Sequence, residues 1–98
     1  MTSKQRAYLR SLANPLQPIV YVGKGGLSDT IEKQADDALT ARELVKGKVL
    51  ESAPDTAREA AEALAQAVNA EVVQVIGRVF VLYRRNDEKP AIVLPRAK

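Results

Sequence analysis

Apolar residues along this chain recur at two spacings, near 3.6 and near 2, and the two alternate from end to end. Leu9, Leu12 and Ala13 stand at helical intervals behind Thr2-Ser3-Lys4-Gln5. That tetrapeptide fits a capping box, in which the Thr2 hydroxyl and the Gln5 amide satisfy orphan donors of a first turn. Asn14-Pro15 ends the helix, because the residue before proline avoids the α region. Ile19-Val20-Tyr21-Val22, a β-branched run between Pro18 and Gly23, predicts a buried strand. Ser28 predicts the N-cap of a second helix, with Asp29 and Glu32 favourable at its positive end and Ile31, Ala35, Ala38 and Leu39 as the inward stripe.

Glu43 to Leu50 predicts a second strand, with Val45 and Val49 on one side and Lys46 and Lys48 on the other. Gly47 within it signals a bulge or a close backbone approach. Ser52-Ala53-Pro54-Asp55 opens a third helix, whose stripe is Ala57, Ala60, Ala61, Leu64 and Val68, with Asn69 as a left-handed cap. Val72 to Ile76 and Val79 to Tyr83 flank Gly77-Arg78, a two-residue link of the type II′ hairpin kind. Both runs are apolar at nearly every position, which predicts central strands covered on both faces. A polar loop from Asn86 to Pro90 and an extended Ala91 to Leu94 follow.

The order α-β-α-β-α-β-β predicts an α+β fold in two layers, a mixed four-stranded sheet with helices packed against it. Right-handed crossovers would join parallel strands, and the terminal hairpin would add an antiparallel one. At 98 residues the chain is one domain, 1–98, with one modest core.

Composition narrows the chemistry. The chain has neither cysteine nor histidine. Disulfides and thiolate metal sites are excluded, and the commonest neutral-pH base is missing. Neither a cofactor nor a bound metal is expected. Asp36-Asp37 are adjacent on a helix and diverge, while Glu59 and Glu62 read as a solvated face, so no carboxylate pair suggests an enzyme. The N-terminus lacks the apolar run of a secretory signal, and the cytoplasm is the expected location.

The net charge of +3 is unevenly spread. Residues 1–26 hold four basic groups and no acid, residues 27–71 five basic and ten acidic, and residues 72–98 six basic and two acidic. If the two ends meet, one positive face results, as a nucleic-acid binder requires. Scattered charges that keep the chain soluble give the same totals.

Gly23-Lys24-Gly25-Gly26 lies between a strand and a helix start. Glycines there allow positive φ and close approach of a ligand, and free N–H groups with the helix dipole favour an anion such as a phosphate. The ending of a Walker A loop is absent, and a lone Gly-x-x-Gly is equally a tight turn. KH modules clamp a nucleic-acid backbone with a comparable loop, by analogy only. Lys46 and Lys48 are candidate phosphate contacts or a solvated strand face. Arg78, Arg84 and Arg85 extend the positive surface or serve solubility. Tyr21, Phe80 and Tyr83 read as core, and Tyr8, between Arg6 and Arg10, is the candidate for stacking on a base.

Whole blocks of the chain resemble the YhbY-type, or CRM, family of RNA-binding domains. The blocks are the opening Thr-Ser-Lys-Gln-Arg-Ala-Tyr-Leu-Arg-Ser-Leu-Ala, Pro18 to Leu27, Glu43 to Val49, Val73 to Arg78 with Leu82-Tyr83-Arg84, and Leu94-Pro95-Arg96. The resemblance implies a fold similar to the C-terminal domain of a bacterial translation initiation factor. It implies association with large-subunit ribosomal RNA or its precursor particles in ribosome biogenesis, as in stand-alone bacterial members; plant relatives carry the domain in larger splicing proteins. The family's Gly-x-x-Gly maps onto Gly23 and Gly26. Asn14 stands where histidine is common, Gln17 where a basic residue is common, and Gly47 replaces a branched residue.

The expected site is therefore Gly23, Lys24, Gly25 and Gly26 with Lys4, Arg6, Arg10, Lys46 and Lys48, in a monomer that binds RNA, touches no membrane and catalyses nothing. The alternatives are a nucleic-acid-coating protein of comparable fold and a protein-interaction adaptor using a sheet edge. One geometric expectation is that the first helix and the glycine loop form a continuous positive surface.

Overall fold

The computed structural model describes residues 1–96. Its elements are α1 (Ser3–Ala13), β1 (Val20–Val22), α2 (Asp29–Arg42), β2 (Leu44–Val49), α3 (Ala57–Val68), β3 (Glu71–Ile76) and β4 (Val79–Tyr83). The α+β class and the element order are as the periodicity predicts. Caps set the helix boundaries. Thr2 and Gln5 form the expected capping box, Ser28 caps α2, and Asn69 closes α3 in the left-handed region. The start of α3 differs: Thr56 and Glu59 form the box, and Pro54 lies before the helix. A complete capping box satisfies two donors, and so outcompetes a serine without one.

The sheet order is β1-β2-β4-β3. β1 and β2 run parallel, and β4 is antiparallel to both neighbours. The final hairpin inserts β4 between β2 and β3. β4 is central, buried from Phe80 to Tyr83, but β3 is an edge strand, contrary to the expectation for both. Its Ile76 is 64% exposed.

The helices occupy both faces, so the expected two layers are three. α2 and α3 cover Val20, Val22, Val45, Val49, Phe80 and Leu82. α1 covers part of the opposite face, where Leu9 and Ala13 meet Leu44, Val73, Val81 and Tyr83. β2 and β4 bury alternate side chains on both sides, and a helix on one face alone would leave half of them wet. Gly47 explains itself at this sheet: it pairs with Phe80, and a Cβ there would lie 2.2 Å from Phe80 Cζ. The close approach is by the aromatic ring, which fills the space a side chain would need.

The terminal segments meet, as one positive face requires. Gln5 Nε2 donates to the Pro95 carbonyl at 3.0 Å. Ile92 and Leu94 pack on the α1 core. Glu43, left-handed at φ 64° and buried, receives the N–H groups of Asn86, Ala91 and Ile92 on its carboxylate. No helix among the described residues is long and apolar enough to cross a membrane.

Candidate nucleic-acid interface

Three connections gather at one end of the sheet. β1 and β2 are parallel, and the β3–β4 hairpin points the same way, because Lys48 pairs with Val79. The glycine loop, the Leu50–Thr56 connection and the Gly77-Arg78 turn are therefore neighbours. Leu50 N–H donates to Val22 O at 2.8 Å, and Val49 N–H donates to Arg78 O at 2.7 Å. In the turn Gly77 has φ +57°, the single positive value that a type II′ link requires.

Gly23-Lys24-Gly25-Gly26 is a tight turn, closed by Gly26 N–H to Gly23 O at 2.9 Å. Gly26 is the loop residue with positive φ, +68°, and a Cβ on it would stand 3.2 Å from Pro54 Cγ. Gly25 is in open space, and Lys24 is exposed. The N–H groups of Lys24 and Gly25 meet no backbone acceptor among the described residues. The start of α2 is occupied as the sequence predicts, which leaves its N-terminus capped rather than open to an anion. Ser28 Oγ accepts from Ile31 N–H, and Asp29 and Glu32 already place negative charge in the first turn. Asp55 also lies beside Gly26.

The strand lysines face α1. Val45, Gly47 and Val49 point to α2 and α3, so Lys46 and Lys48 point the other way, as alternation predicts. Lys46 Nζ reaches the Asn14 carbonyl at 3.4 Å, while Lys48 is exposed beside the loop end. Tyr21 lies on the same face. It is in register with Lys48 and 49% exposed, so it is not the core residue its apolar strand suggests. β1 is an edge strand, and α1 does not extend over it. Phe80 and Tyr83 are core, as expected.

The continuous surface expected of α1 and the loop forms only in part. Arg6 Nη1 donates to Val72 O at 2.6 Å and Val73 O at 3.1 Å, at the bulge in β3. β3 and β1 are opposite edges, so Arg6 is held about three strand spacings, roughly 14 Å, from the loop's strand. Arg10, one turn on, is exposed. At 3.6 residues per turn Arg10 shares the flank of α1 that carries Arg6, and Gln5, which holds the tail, is on another. Lys4 is exposed on the side of α1 away from the sheet. Tyr8 is 39% exposed on α1, apart from the lysines.

The structure thus brings Gly23 to Gly26 near Lys48, with Lys46 further along the same strand face, and leaves Arg6 and Lys4 outside; Arg10 is exposed on α1. Arg78, noted in the sequence as a hairpin-tip charge, joins the same end. Arg84 does not: it donates to Asp36 Oδ1 and O, Thr40 Oγ1 and Val68 O, and ties α2 to the end of α3. Arg85 lies by Asp87, at the far end of the sheet. A groove of about 460 Å³ runs beside the α1–β1 linker between Leu12, Leu16, Ile19 and Ile92, adjoining Lys46 but not the glycine loop. No group of three or more metal-ligating side chains occurs among the described residues.

Comparison with known proteins identifies the family. The chain is 44% identical over 95 residues to Bacillus subtilis "Probable RNA-binding protein YqeI", covering 97% of this chain and 99% of that protein. It is 35% identical over 96 residues to a Haemophilus influenzae protein named "RNA-binding protein", covering 98% and 96% of the two. The solution structure of the hypothetical protein SAV1595 from Staphylococcus aureus matches with a TM-score of 0.79 at 47% identity, over 97% of this chain and all of that one. The model of the CRS1 / YhbY (CRM) domain matches residues 1–84, from the first capping box through the last strand, and the chain belongs to that family.

Proposed function

We propose that this chain is a non-catalytic RNA-binding factor, which as a cytoplasmic monomer engages large-subunit ribosomal RNA or its precursor particles during ribosome assembly. The observation that carries the reading is the convergence at one sheet end of an outward glycine turn with Lys24, Lys48 and Arg78. Exposed N–H groups and cations beside a turn without side-chain bulk are what a phosphodiester backbone needs. The names of the relatives in Bacillus subtilis and Haemophilus influenzae support RNA as the ligand.

The sheet edges argue against an adaptor that recruits a partner strand. β1 has three paired residues, and β3 carries a bulge whose carbonyls are taken by Arg6. Short or bulged edges resist strand addition. Sedimentation of a cell extract separates the readings. Comigration with free large subunits or their precursors is the expected result. Comigration with bulk RNA or nucleoid indicates a coating protein, and migration with neither removes the RNA reading.

A further inference from the structure

We infer that Tyr21 is a stacking platform for an unpaired base, so that the preferred ligand is single-stranded or bulged RNA rather than continuous duplex. This rests on the RNA reading above and adds the kind of RNA recognised. Tyrosine in a β-branched strand is ordinarily core, but Tyr21 is 49% exposed. It projects from the sheet face that α1 leaves uncovered beyond its own core. On that face its register partner is Lys48, Ile19 lies two residues before it in the chain, and Lys46 is the next outward position of β2, so the adjoining ladder positions are two cations and an aliphatic residue with no carboxylate. A phenol ring set beside cations and an aliphatic group offers a π surface to a base and charges to its phosphates.

Spacing makes the two contacts simultaneous. Tyr21 and Lys48 are register partners in adjacent strands, so their backbones are about 4.8 Å apart. Lys24 follows Tyr21 by three residues, so its Cα is within roughly 11 Å. One nucleotide can therefore rest its base on Tyr21 while neighbouring phosphates meet Lys48 and the loop. A base held in a continuous duplex has no free face to offer.

The test uses a short unstructured oligoribonucleotide and a blunt RNA duplex, each titrated with the full chain. Tyr21→Leu should weaken the single strand by roughly fivefold to a hundredfold, the span of one base–aromatic stack. It should leave the duplex affinity unchanged, and Tyr21→Phe should bind like the parent. The chain has no tryptophan, so Tyr21→Trp supplies a single indole at the platform. Its fluorescence should be quenched by the single strand and not by the duplex, which decides the matter even if the leucine variant folds poorly. If the parent binds RNA and the leucine variant binds both forms equally well, or the indole is silent, the platform is wrong and the RNA reading survives. If the parent binds neither form, both fall together.

Discussion

Three missing side chains, at Gly25, Gly26 and Gly47, decide what can be changed here. Gly26 and Gly25 look alike in sequence but differ in constraint. Gly26 has φ +68° and Pro54 Cγ 3.2 Å from its missing Cβ, whereas Gly25 faces open space. Gly26→Ala should cost about 1–2 kcal/mol of stability, the cost of the left-handed region for a residue with a Cβ. Gly25→Ala should stay within about 0.5 kcal/mol in urea unfolding. Gly25 is therefore the position at which a bulky residue tests RNA binding without a folding effect, and equal stability losses at the two would mean the turn is not as described. Gly47 is constrained by bulk: its missing Cβ would lie 2.2 Å from Phe80 Cζ. Gly47→Ala should destabilise by about 1–3 kcal/mol, the range for overpacking a core. Pairing it with Phe80→Leu should recover part of that loss in a double-mutant cycle; strict additivity would show that the two do not meet.

Among the elements, the C-terminal segment is held by a residue that its sequence neighbourhood does not announce. Glu43 caps α2, precedes β2 and accepts three N–H groups from residues 86, 91 and 92. Burial would raise its carboxyl, but those donors and the charge of Arg85 outweigh it and hold the group below the usual carboxylate range. A folded pKa below the unfolded one means that the stabilisation is complete above the unfolded value, near 4.3, and is lost as pH falls through the folded value. Glu43→Gln should thus cost about 1–3 kcal/mol near neutrality. The gap between parent and variant should narrow in acid, and a gap constant down to pH of about 3 would contradict the linkage. The starts of α1 and α2, the Lys46/Lys48 face and the glycine turn were legible because caps, alternation and Gly-x-x-Gly are local signals, whereas two candidate caps close together, Ser52 and Thr56, left the start of α3 to the complete capping box. The edge position of β3, the helix on the second face and the exposure of Tyr21 were not. Each depends on which strand the final hairpin places beside β2, a non-local pairing that period and propensity do not encode. Arg6 was misplaced for the same reason: its partners are 66 and 67 residues away along the chain.

For the molecule as a whole, a net charge of +3 conceals a division by face. α2 and α3 carry paired charges, Lys33 with Asp37 and Arg58 with Glu62, all well exposed. Such pairs add little stability and offer no net attraction to a polyanion. The opposite face and the loop end carry Lys24, Lys46, Lys48, Arg10 and Arg78, none of which forms an ion pair among the described residues. Each phosphate neutralised on a single strand contributes roughly −0.7 to the slope of log affinity against log salt. Lys24→Ala and Lys48→Ala should therefore each make that slope shallower by about 0.7, with no change in thermal stability, since both side chains are exposed. Lys33→Ala should leave the slope as it is, because that charge is on the α2 face and already has a partner. Titrations at several salt concentrations distinguish the cases. An affinity that ignores salt removes the electrostatic model altogether. A slope that shifts equally for Lys33 and Lys48 would mean that RNA senses the total charge rather than this face, and the grouping at the loop end would lose its functional meaning.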